Sequence, residues 1–169
     1  LGGALITNAE AHKISVGELV KEVKVLEKGK IKILDRDSCN FTYRSSVFEN
    51  SGYIIIEVVL ELRYGNVEDI EKKMAEAKRF RMDKQPKKSS AGSVFKNPEI
   101  GPAGLLIDKL GLKGKKIGEA VISDIHANFI LNEDKAKSND VLKLIEFIQK
   151  EVKFNYNIDL ELEIKIFNN

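Results

Sequence analysis

The segment Ser90–Pro98, SAGSVFKNP, is where residues able to do chemistry are densest in this sequence. Ser93 offers a hydroxyl, Lys96 a cation and Asn97 an amide, and the small residues before them let the backbone come close to a ligand. The same letters are also typical of a tight turn that leads into a strand, with Lys96 in solvent. The residues alone leave both interpretations open.

The surroundings of Ser93 do not favour a nucleophilic serine. The chain has no Gly-x-Ser-x-Gly elbow, and its histidines are His12 and His126. Other polar residues, taken singly, have ordinary structural explanations. Arg44 is typical of a surface ion pair, Glu163 of one charge on a solvated strand face, and a lone histidine such as His126 is usually structural.

Length and charge argue against several classes of protein. A chain of 169 residues can form one domain or two small ones sharing a core. The formal charge of +2 gives no whole-chain case for nucleic acid, and no apolar run approaches the roughly 20 residues that span a bilayer. The single cysteine, Cys39, excludes an internal disulfide and favours a reducing compartment, so we expect the cytoplasm. Since the chain opens on Leu1 without a signal-peptide pattern, we expect a processed protein or a piece of a longer one.

The first half of the chain predicts a hairpin, a long strand and a helix. Alternation over 22–27, a Lys28-Gly29 turn and renewed alternation predict a β-hairpin. The β-branched run 53–64 predicts one long strand. Asn66 is typical of a helix N-cap, and that helix should end before Gln85-Pro86. Before all of these, residues 1–8 predict a loop entering a buried strand or short helix.

The second half mixes short elements without a regular βαβ rhythm, which favours an α+β fold. Residues 103–110 predict a short helix closed by a glycine, and 119–124 and 127–132 predict strands. Ser138 or Asn139 should cap an amphipathic helix. The strict alternation over 159–167 predicts a final strand whose charged residues, Glu161, Glu163 and Lys165, lie opposite its apolar face.

Several segments, in order, resemble one family. SAGSVFKNP resembles the serine motif of UDP-N-acetylenolpyruvoylglucosamine reductases, FTYRSSVF over 41–48 resembles their Tyr-Arg motif, and DLELEIKIF over 159–167 resembles their C-terminal strand. The stretch 104–132 is similar to the family almost throughout, and LGGALITNA at the start resembles the end of its flavin-binding loop. The similarity covers essentially the whole chain and is closest to the shorter subgroup.

This resemblance implies a domain organisation. Residues 1–85 resemble the C-terminal part of an FAD-binding domain of the vanillyl-alcohol-oxidase type, and residues 86–157 resemble a small α+β substrate-binding domain. Residues 158–169 are then expected to form a strand that returns to the FAD-binding domain.

The resemblance also implies a reaction and its residues. In this family FAD is reduced by NADPH, and hydride then passes to the enolpyruvyl double bond of a small-molecule UDP-sugar, giving UDP-N-acetylmuramate for peptidoglycan. Ser93 matches the proton donor, and Arg44 and Glu163 match the residues that stabilise the developing charge. Alternation does not separate Glu161 from Glu163; the motif match selects Glu163.

Binding residues are carried over in the same way. The positions that match substrate contacts are Lys84, Asn97, His126 and Tyr43, with Arg81 and Lys96 adding positive potential. The positions that match the cofactor loop are Gly2, Gly3, Ala4 and Asn8. We expect no metal site, no nucleic-acid partner and no membrane partner.

The chain departs from the family at residues 10–13. The family usually has Gly-Ala-(Tyr or His)-Gly there, and this chain has Glu10-Ala11-His12-Lys13. Together with the missing upstream part of the flavin-binding domain, this predicts that the isolated chain binds FAD weakly or not at all. Two rival hypotheses follow: another flavin oxidoreductase of the same superfamily, or a truncated, non-catalytic remnant that binds a UDP-sugar or a partner.

Overall fold

The chain forms two compact units of mixed helix and antiparallel sheet, which confirms the α+β prediction. The computed structural model describes residues 1–11 and 13–167. One unit is Leu1–Met74 and the other begins at Ala75. The domain boundary predicted after residue 85 stays a prediction, as does the return of 158–169 to the first part.

The first unit is built on a three-stranded antiparallel sheet. A short helix, α1 (Gly2–Ile6), and a two-residue strand pair, β1 (Glu10–Ala11) and β2 (Ile14–Ser15), precede it. The sheet has the order β4-β3-β5, made of β3 (Val20–Glu27), β4 (Lys30–Asp35) and β5 (Ile54–Leu60). Of the two alternatives predicted for residues 1–8, the short helix is therefore correct.

The predicted hairpin is confirmed as β3 and β4. The turn residues Lys28 and Gly29 have φ angles of 47° and 77°, and two consecutive positive φ angles give the twist that a two-residue hairpin needs. The predicted strand 53–64 was too long. The strand ends at Leu60, which pairs with Val20, the first residue of β3, and residues 61–66 are exposed.

The core of the first unit lies on one face of this sheet. Val23 and Val25 of β3 are fully buried, and side chains from α1 and from two short 3-10 turns (Asp37–Cys39 and Val47–Glu49) close over them. These covering residues are Leu5, Cys39 and Phe48. The unit therefore fixes the start of the chain and the 41–48 motif against the same strands.

Helix α2 (Val67–Lys84) spans the division between the units. Its predicted N-cap is confirmed, because Asn66 Oδ1 accepts a hydrogen bond from the Asp69 N–H over 3.2 Å. The helix ends before Gln85-Pro86, as predicted, since a residue that precedes proline disfavours helical geometry.

The second unit contains a four-stranded antiparallel sheet of order β6-β9-β8-β7. Its strands are β6 (Ser90–Ser93), β7 (Lys116–Ile117), β8 (Ala120–Ile122) and β9 (Phe129–Asn132). Its helices are α3 (Ala103–Lys109) and α4 (Ser138–Tyr156). Both strands and the helix predicted over 103–132 are confirmed, each shorter than its sequence pattern.

The ends of the two helices are set by local chemistry. Gly111, with φ 67°, donates its N–H to the Asp108 carbonyl over 2.8 Å and closes α3 as predicted. The prediction that Ser138 or Asn139 caps α4 was wrong. Lys137 is the N-cap, because the Asp140 carboxylate reaches back to the Lys137 N–H over 3.1 Å.

The last described segment, 158–167, belongs to the core of the second unit but is not a regular strand. Leu160 is 4% exposed, and Leu162 and Ile164 pack against the same cluster of buried side chains, which includes Leu144 and Ile148 of α4. The segment's one bridge to Phe95 is made by Leu162. The predicted strand is thus wrong as a regular element, although its apolar alternation correctly marks the buried side chains as far as Ile164.

Candidate functional site

The serine motif begins at the outer strand of the second sheet. Ser93 is the last residue of β6 and lies opposite Phe129 of β9. The register shifts between Ser90 and Ser93, and Gly92 has a φ of 87°, which a side-chain-bearing residue adopts only with strain. Such an irregularity re-aims the side chain that follows it, so the strand delivers a half-buried Ser93 at its end.

Beyond Ser93 the chain pairs with the C-terminal segment. The Glu163 N–H donates to the Val94 carbonyl and the Lys96 N–H donates to the Glu161 carbonyl, each over 2.8 Å. These two bonds flank the Phe95–Leu162 bridge. The backbone of Glu163 is therefore bonded to the residue that follows Ser93.

The structure separates the two candidate carboxylates. Glu161 is exposed, and its carboxylate lies 3.4 Å from the Lys96 ammonium. Glu163 is half-buried. Glu161 therefore has an ion-pair partner at the surface. The motif match selects Glu163 of the two, and its place in a site stays a prediction.

A buried amide, which the sequence analysis did not single out, holds the motif from its other edge. Asn128 is 4% exposed. Its Oδ1 accepts the Phe95 N–H over 3.0 Å, and its Nδ2 donates to the Phe95 carbonyl over 2.8 Å. An asparagine between Ala127 and Phe129, within an otherwise apolar run, was the available signal, because a buried amide needs partners.

His126 is tied into the same region. Its Nδ1 accepts the Asn128 N–H over 3.2 Å, so the neutral ring carries its proton on Nε2. Its ring meets the Phe129 ring edge-on, with centroids 4.9 Å apart. Burial lowers the pKa of His126, and the charge of Lys113 lowers it further. A Cβ at Gly104 would lie 3.0 Å from the His126 ring, so a side chain there would require the ring to shift by a few tenths of an ångström.

Lys84 and Asn97, two further predicted substrate contacts in this unit, are both exposed. Lys84 is exposed at the last position of α2. Asn97 is exposed, and its Oδ1 accepts the Ala103 N–H over 3.1 Å, which fastens the start of α3 to the serine motif. The motif therefore positions a helix as well as offering polar groups.

In the first unit Arg44 occupies a strained turn. Thr42 and Ser45 exchange backbone hydrogen bonds of 3.0 and 3.3 Å around Tyr43 and Arg44. Arg44 has a φ of 54°, which costs a residue with a side chain roughly 1–2 kcal/mol. Its guanidinium carbon lies 5.4 Å from the centroid of the Tyr43 ring. A non-glycine residue held in this region is an observation from which function is inferred.

The side chain of Asn8 is hydrogen-bonded to that turn. Its Nδ2 donates to the Thr42 carbonyl and its Oδ1 accepts the Gly17 N–H, both over 2.9 Å. Nearby, the Ser46 hydroxyl donates to the Ile6 carbonyl over 2.8 Å. A Cβ at Gly17 would lie 2.6 Å from the Phe41 ring, so the approach requires glycine. The opening residues of the chain and the Tyr-Arg motif thus form one hydrogen-bonded assembly.

Comparison with known proteins identifies the family. Residues 85–167 match the family model for the C-terminal domain of UDP-N-acetylenolpyruvoylglucosamine reductase. Over 98–100% of its length the chain is 42% identical to the enzyme of that name from Bacillus pumilus and 43% identical to that from Thermotoga maritima, covering 56% and 60% of those proteins. The chain belongs to the UDP-N-acetylenolpyruvoylglucosamine reductase family.

A solved structure shows the same fold. The chain superimposes on the crystal structure of UDP-N-acetylenolpyruvylglucosamine reductase from Thermus caldophilus with a TM-score of 0.88, at 38% identity, over 99% of this chain and 60% of that one. The chain thus spans between half and two thirds of the length of the reductases it matches.

The start of the chain carries the positions at which the sequence predicts flavin contacts. Gly2 and Gly3 lie in α1, and a Cβ built on either meets no atom within 4 Å, so their backbone is open to a bulky group. Ala4 is half-buried, while the buried Asn8 is engaged with Thr42 and Gly17. The glycine pair fits a cofactor contact, and Asn8 fits a supporting role; both predicted contacts stay predictions.

The structure describes both charged residues at which the chain departs from the family, Glu10 and Lys13. Lys13 stands where the reductase family has a glycine, and it keeps a φ of 66°, in the region that glycine adopts readily. Glu10 is exposed and pairs with Ser15 in the β1–β2 ladder. A lysine at this φ carries a conformational cost that glycine would avoid. His12 lies outside the described residues.

The predicted catalytic and substrate-binding residues are divided between the two units. Ser93, Asn97, His126 and Glu163 lie in the second unit, and Tyr43 and Arg44 lie in the first. The meeting of Arg44 with Ser93 and Glu163 stays a prediction. Within residues 1–11 and 13–167, no cluster of His, Cys, Asp and Glu could hold a metal ion, and no helix is long and apolar enough to cross a bilayer.

Proposed function

We propose that the native protein carrying this chain reduces UDP-N-acetylglucosamine enolpyruvate to UDP-N-acetylmuramate, a peptidoglycan precursor, using NADPH and FAD. The observation that carries the proposal is the backbone pairing that brings Glu163 beside Ser93. It occurs in a chain 42–44% identical to reductases named for this reaction. A small-molecule UDP-sugar in the cytoplasm is the substrate that this proposal requires.

The chain's own residues would handle the proton in this reaction. Bound FAD, once reduced by NADPH, would supply a hydride to one carbon of the enolpyruvyl double bond. The Ser93 hydroxyl then donates a proton to the neighbouring carbon, so that one hydride and one proton saturate the bond. A positioned general acid of this kind contributes roughly 10²–10⁴-fold.

A serine needs help to act as an acid. Arg44 and Glu163 are the residues that we propose stabilise the charge that develops on the substrate and on the serine oxygen. Preorganised groups aimed at developing charge are among the larger contributions to catalysis. The strained Arg44 turn supports the proposal, because a conformation this costly for arginine persists only where the surrounding structure imposes it.

The substrate diphosphate would be held by the remaining polar residues. His126 is neutral because burial lowers its pKa, and with Nδ1 occupied it offers the Nε2–H as a donor. Asn97 is exposed in the serine motif and would add a polar contact. Lys84 is exposed and would add a cation, and Tyr43 is a further predicted substrate contact.

The test is a coupled measurement of cofactor and product. The native protein is mixed with NADPH and UDP-N-acetylglucosamine enolpyruvate, the loss of NADPH absorbance is followed, and the product is weighed by mass spectrometry. UDP-N-acetylglucosamine, which lacks the double bond, is the matched control. Substrate-dependent NADPH loss with formation of UDP-N-acetylmuramate supports the proposal, and NADPH loss that is equal with both sugars contradicts it.

A second candidate is a binder without turnover. Glu10 and Lys13, where the family usually has glycines, favour it because they add side chains and a carboxylate near the expected position of a cofactor phosphate. Calorimetry with the enolpyruvyl substrate separates the two: heat of binding with no NADPH oxidation would assign the chain to binding alone.

A further inference from the structure

The side chain of Asn128 stands where a neighbouring strand would otherwise lie. Strand β9 begins at Phe129, so the residues after Ser93 run beyond the end of their partner strand. Asn128 bridges this gap with two hydrogen bonds to Phe95, one from the Phe95 N–H to Oδ1 at 3.0 Å and one from Nδ2 to the Phe95 carbonyl at 2.8 Å. Its own carbonyl accepts the Val94 N–H over 2.8 Å.

This amide completes a backbone segment that is held on both edges. Both polar groups of Phe95 face Asn128, while its neighbours Val94 and Lys96 bond to Glu163 and Glu161 on the opposite edge. Phe95 is 1% exposed and Asn128 is 4% exposed, so water does not compete for these bonds. An amide side chain carries both a donor and an acceptor, which is the pair that a strand neighbour supplies.

We propose that Asn128 is a positioning residue that holds the Ser93 hydroxyl and Glu163 in register for proton transfer to the substrate. The proposal rests on the proposed reductase function. Ser93 directly precedes the clamped residues, so the direction of its side chain follows from their backbone. A displacement of about 1 Å can slow an oriented reaction roughly 10²-fold, so losing the clamp should impair the step that uses Ser93.

The test uses Asn128→Ala in the native protein, which removes both bonds to Phe95. Rapid mixing separates flavin reduction by NADPH from reoxidation by the enolpyruvyl substrate. We expect flavin reduction to change less than about twofold and reoxidation to slow roughly 10²-fold. The solvent deuterium isotope effect on reoxidation should also increase, because proton delivery becomes the slower event.

A second readout does not depend on activity. Amide hydrogen exchange over residues 93–96, measured without cofactor or substrate, should speed up in Asn128→Ala. The matched control is Asn132→Ala, at the other end of β9, an exposed residue whose Oδ1 accepts the Ala136 N–H over 3.0 Å. In the control both half-reactions and exchange over 93–96 should stay as in the parent protein.

The outcomes are distinct. A selective loss of reoxidation with faster exchange at 93–96 supports the role, and equal behaviour of Asn128→Ala and Asn132→Ala overturns it. If Asn128→Ala does not fold, Asn128→Ser is measured, since its hydroxyl keeps a polar group but is too short to span Phe95. If neither folds, or if both half-reactions slow alike, Asn128 serves stability alone and the proposal falls. If the parent protein does not turn over the substrate, it is the proposed function that fails.

Discussion

The Glu163 N–H donates a hydrogen bond to the Val94 carbonyl over 2.8 Å. Val94 follows Ser93 directly, so this bond places a carboxylate-bearing residue from the end of the chain beside the proposed proton donor. The reciprocal bond from Lys96 to Glu161 fixes the register. A slip of one residue would put the apolar Leu162 or Ile164 in the place of Glu163, on the opposite face of the backbone.

Replacing Ser93 with alanine should separate the two halves of the proposed reaction. Flavin reduction by NADPH should be intact, because it does not use the Ser93 proton, while substrate reduction should slow by roughly 10²–10⁴-fold. Stopped-flow absorbance of the flavin measures both. Ser90→Ala is the control, since Ser90 is exposed in the same strand. Equal slowing of both half-reactions would argue against Ser93 as the acid.

The two carboxylates of the C-terminal segment should respond differently to neutralisation. Glu163→Gln should slow substrate reduction by roughly 10²-fold or more, because charge stabilisation beside the proton donor is lost. Glu161→Gln should change it less than about twofold, since its exposed pair with Lys96 is worth little. Steady-state rates with saturating NADPH measure the difference. Similar losses of rate in both variants would contradict the motif match, which assigns the role to Glu163 and not to Glu161.

Local chemistry in the sequence was sufficient to predict the hairpin, the α2 cap and the α3 stop. Each of these features depends on residues only a few positions apart, so the sequence alone can predict it. The residues concerned are Lys28-Gly29, Asn66 and Gly111. The pairing of 161–163 with 94–96 joins segments that are distant in sequence. Alternation over 159–167 predicted a regular strand, whereas the structure has an isolated bridge between Phe95 and Leu162.

The parts of the site that the sequence left out are also non-local. Asn128 was passed over because its partner, Phe95, lies far along the chain, and nothing near Asn128 reveals an unpaired backbone there. The strain at Arg44 was equally hidden, because arginine is not a residue that signals a positive φ. The motif resemblance predicted Ser93, Arg44 and Glu163. The structure added the hydrogen bonds that hold the segments carrying Ser93 and Glu163 together.

Two substitutions at Arg44 should reveal its backbone strain. Arg44→Gly should be more stable than Arg44→Ala by about 1 kcal/mol, because alanine keeps the penalty at positive φ that glycine avoids. Both should lose substrate reduction. Urea unfolding monitored by circular dichroism measures the free energies of unfolding. An alanine variant at least as stable as the glycine variant would show that the turn is not strained at this residue.

The C-terminal segment should contribute to the stability of the second unit. Leu160 is 4% exposed and its carbonyl accepts a hydrogen bond from Gln149 Nε2 over 2.9 Å. Leu160→Ala should lower the free energy of unfolding by roughly 2–5 kcal/mol through the cavity it leaves. Ile166→Ala, at a side chain that is 43% exposed, should have a much smaller effect. Equal effects would place 158–164 outside the core.

His126 should make stability depend on pH in the mildly acidic range. Burial lowers the pKa of His126 from its ordinary 6.5, so the unfolded chain binds this proton more tightly than the folded protein. Its contribution to stability is complete above pH 6.5 and is lost as the pH falls from there through the lower folded pKa. Protonation would also place a donor on Nδ1, opposite the Asn128 N–H that it accepts.

The comparison that isolates this effect is His126→Asn, whose side-chain oxygen keeps an acceptor but does not titrate. Urea unfolding is measured at neutral pH and at about pH 5 for both proteins, a range in which histidine changes charge. The parent protein should lose more stability on acidification than the variant. The other histidine, His12, is present in both proteins and cancels. Equal losses would mean that protonation of His126 does not change the free energy of unfolding. The proposed role of its Nε2–H as the donor of a neutral ring would then lose its physical basis.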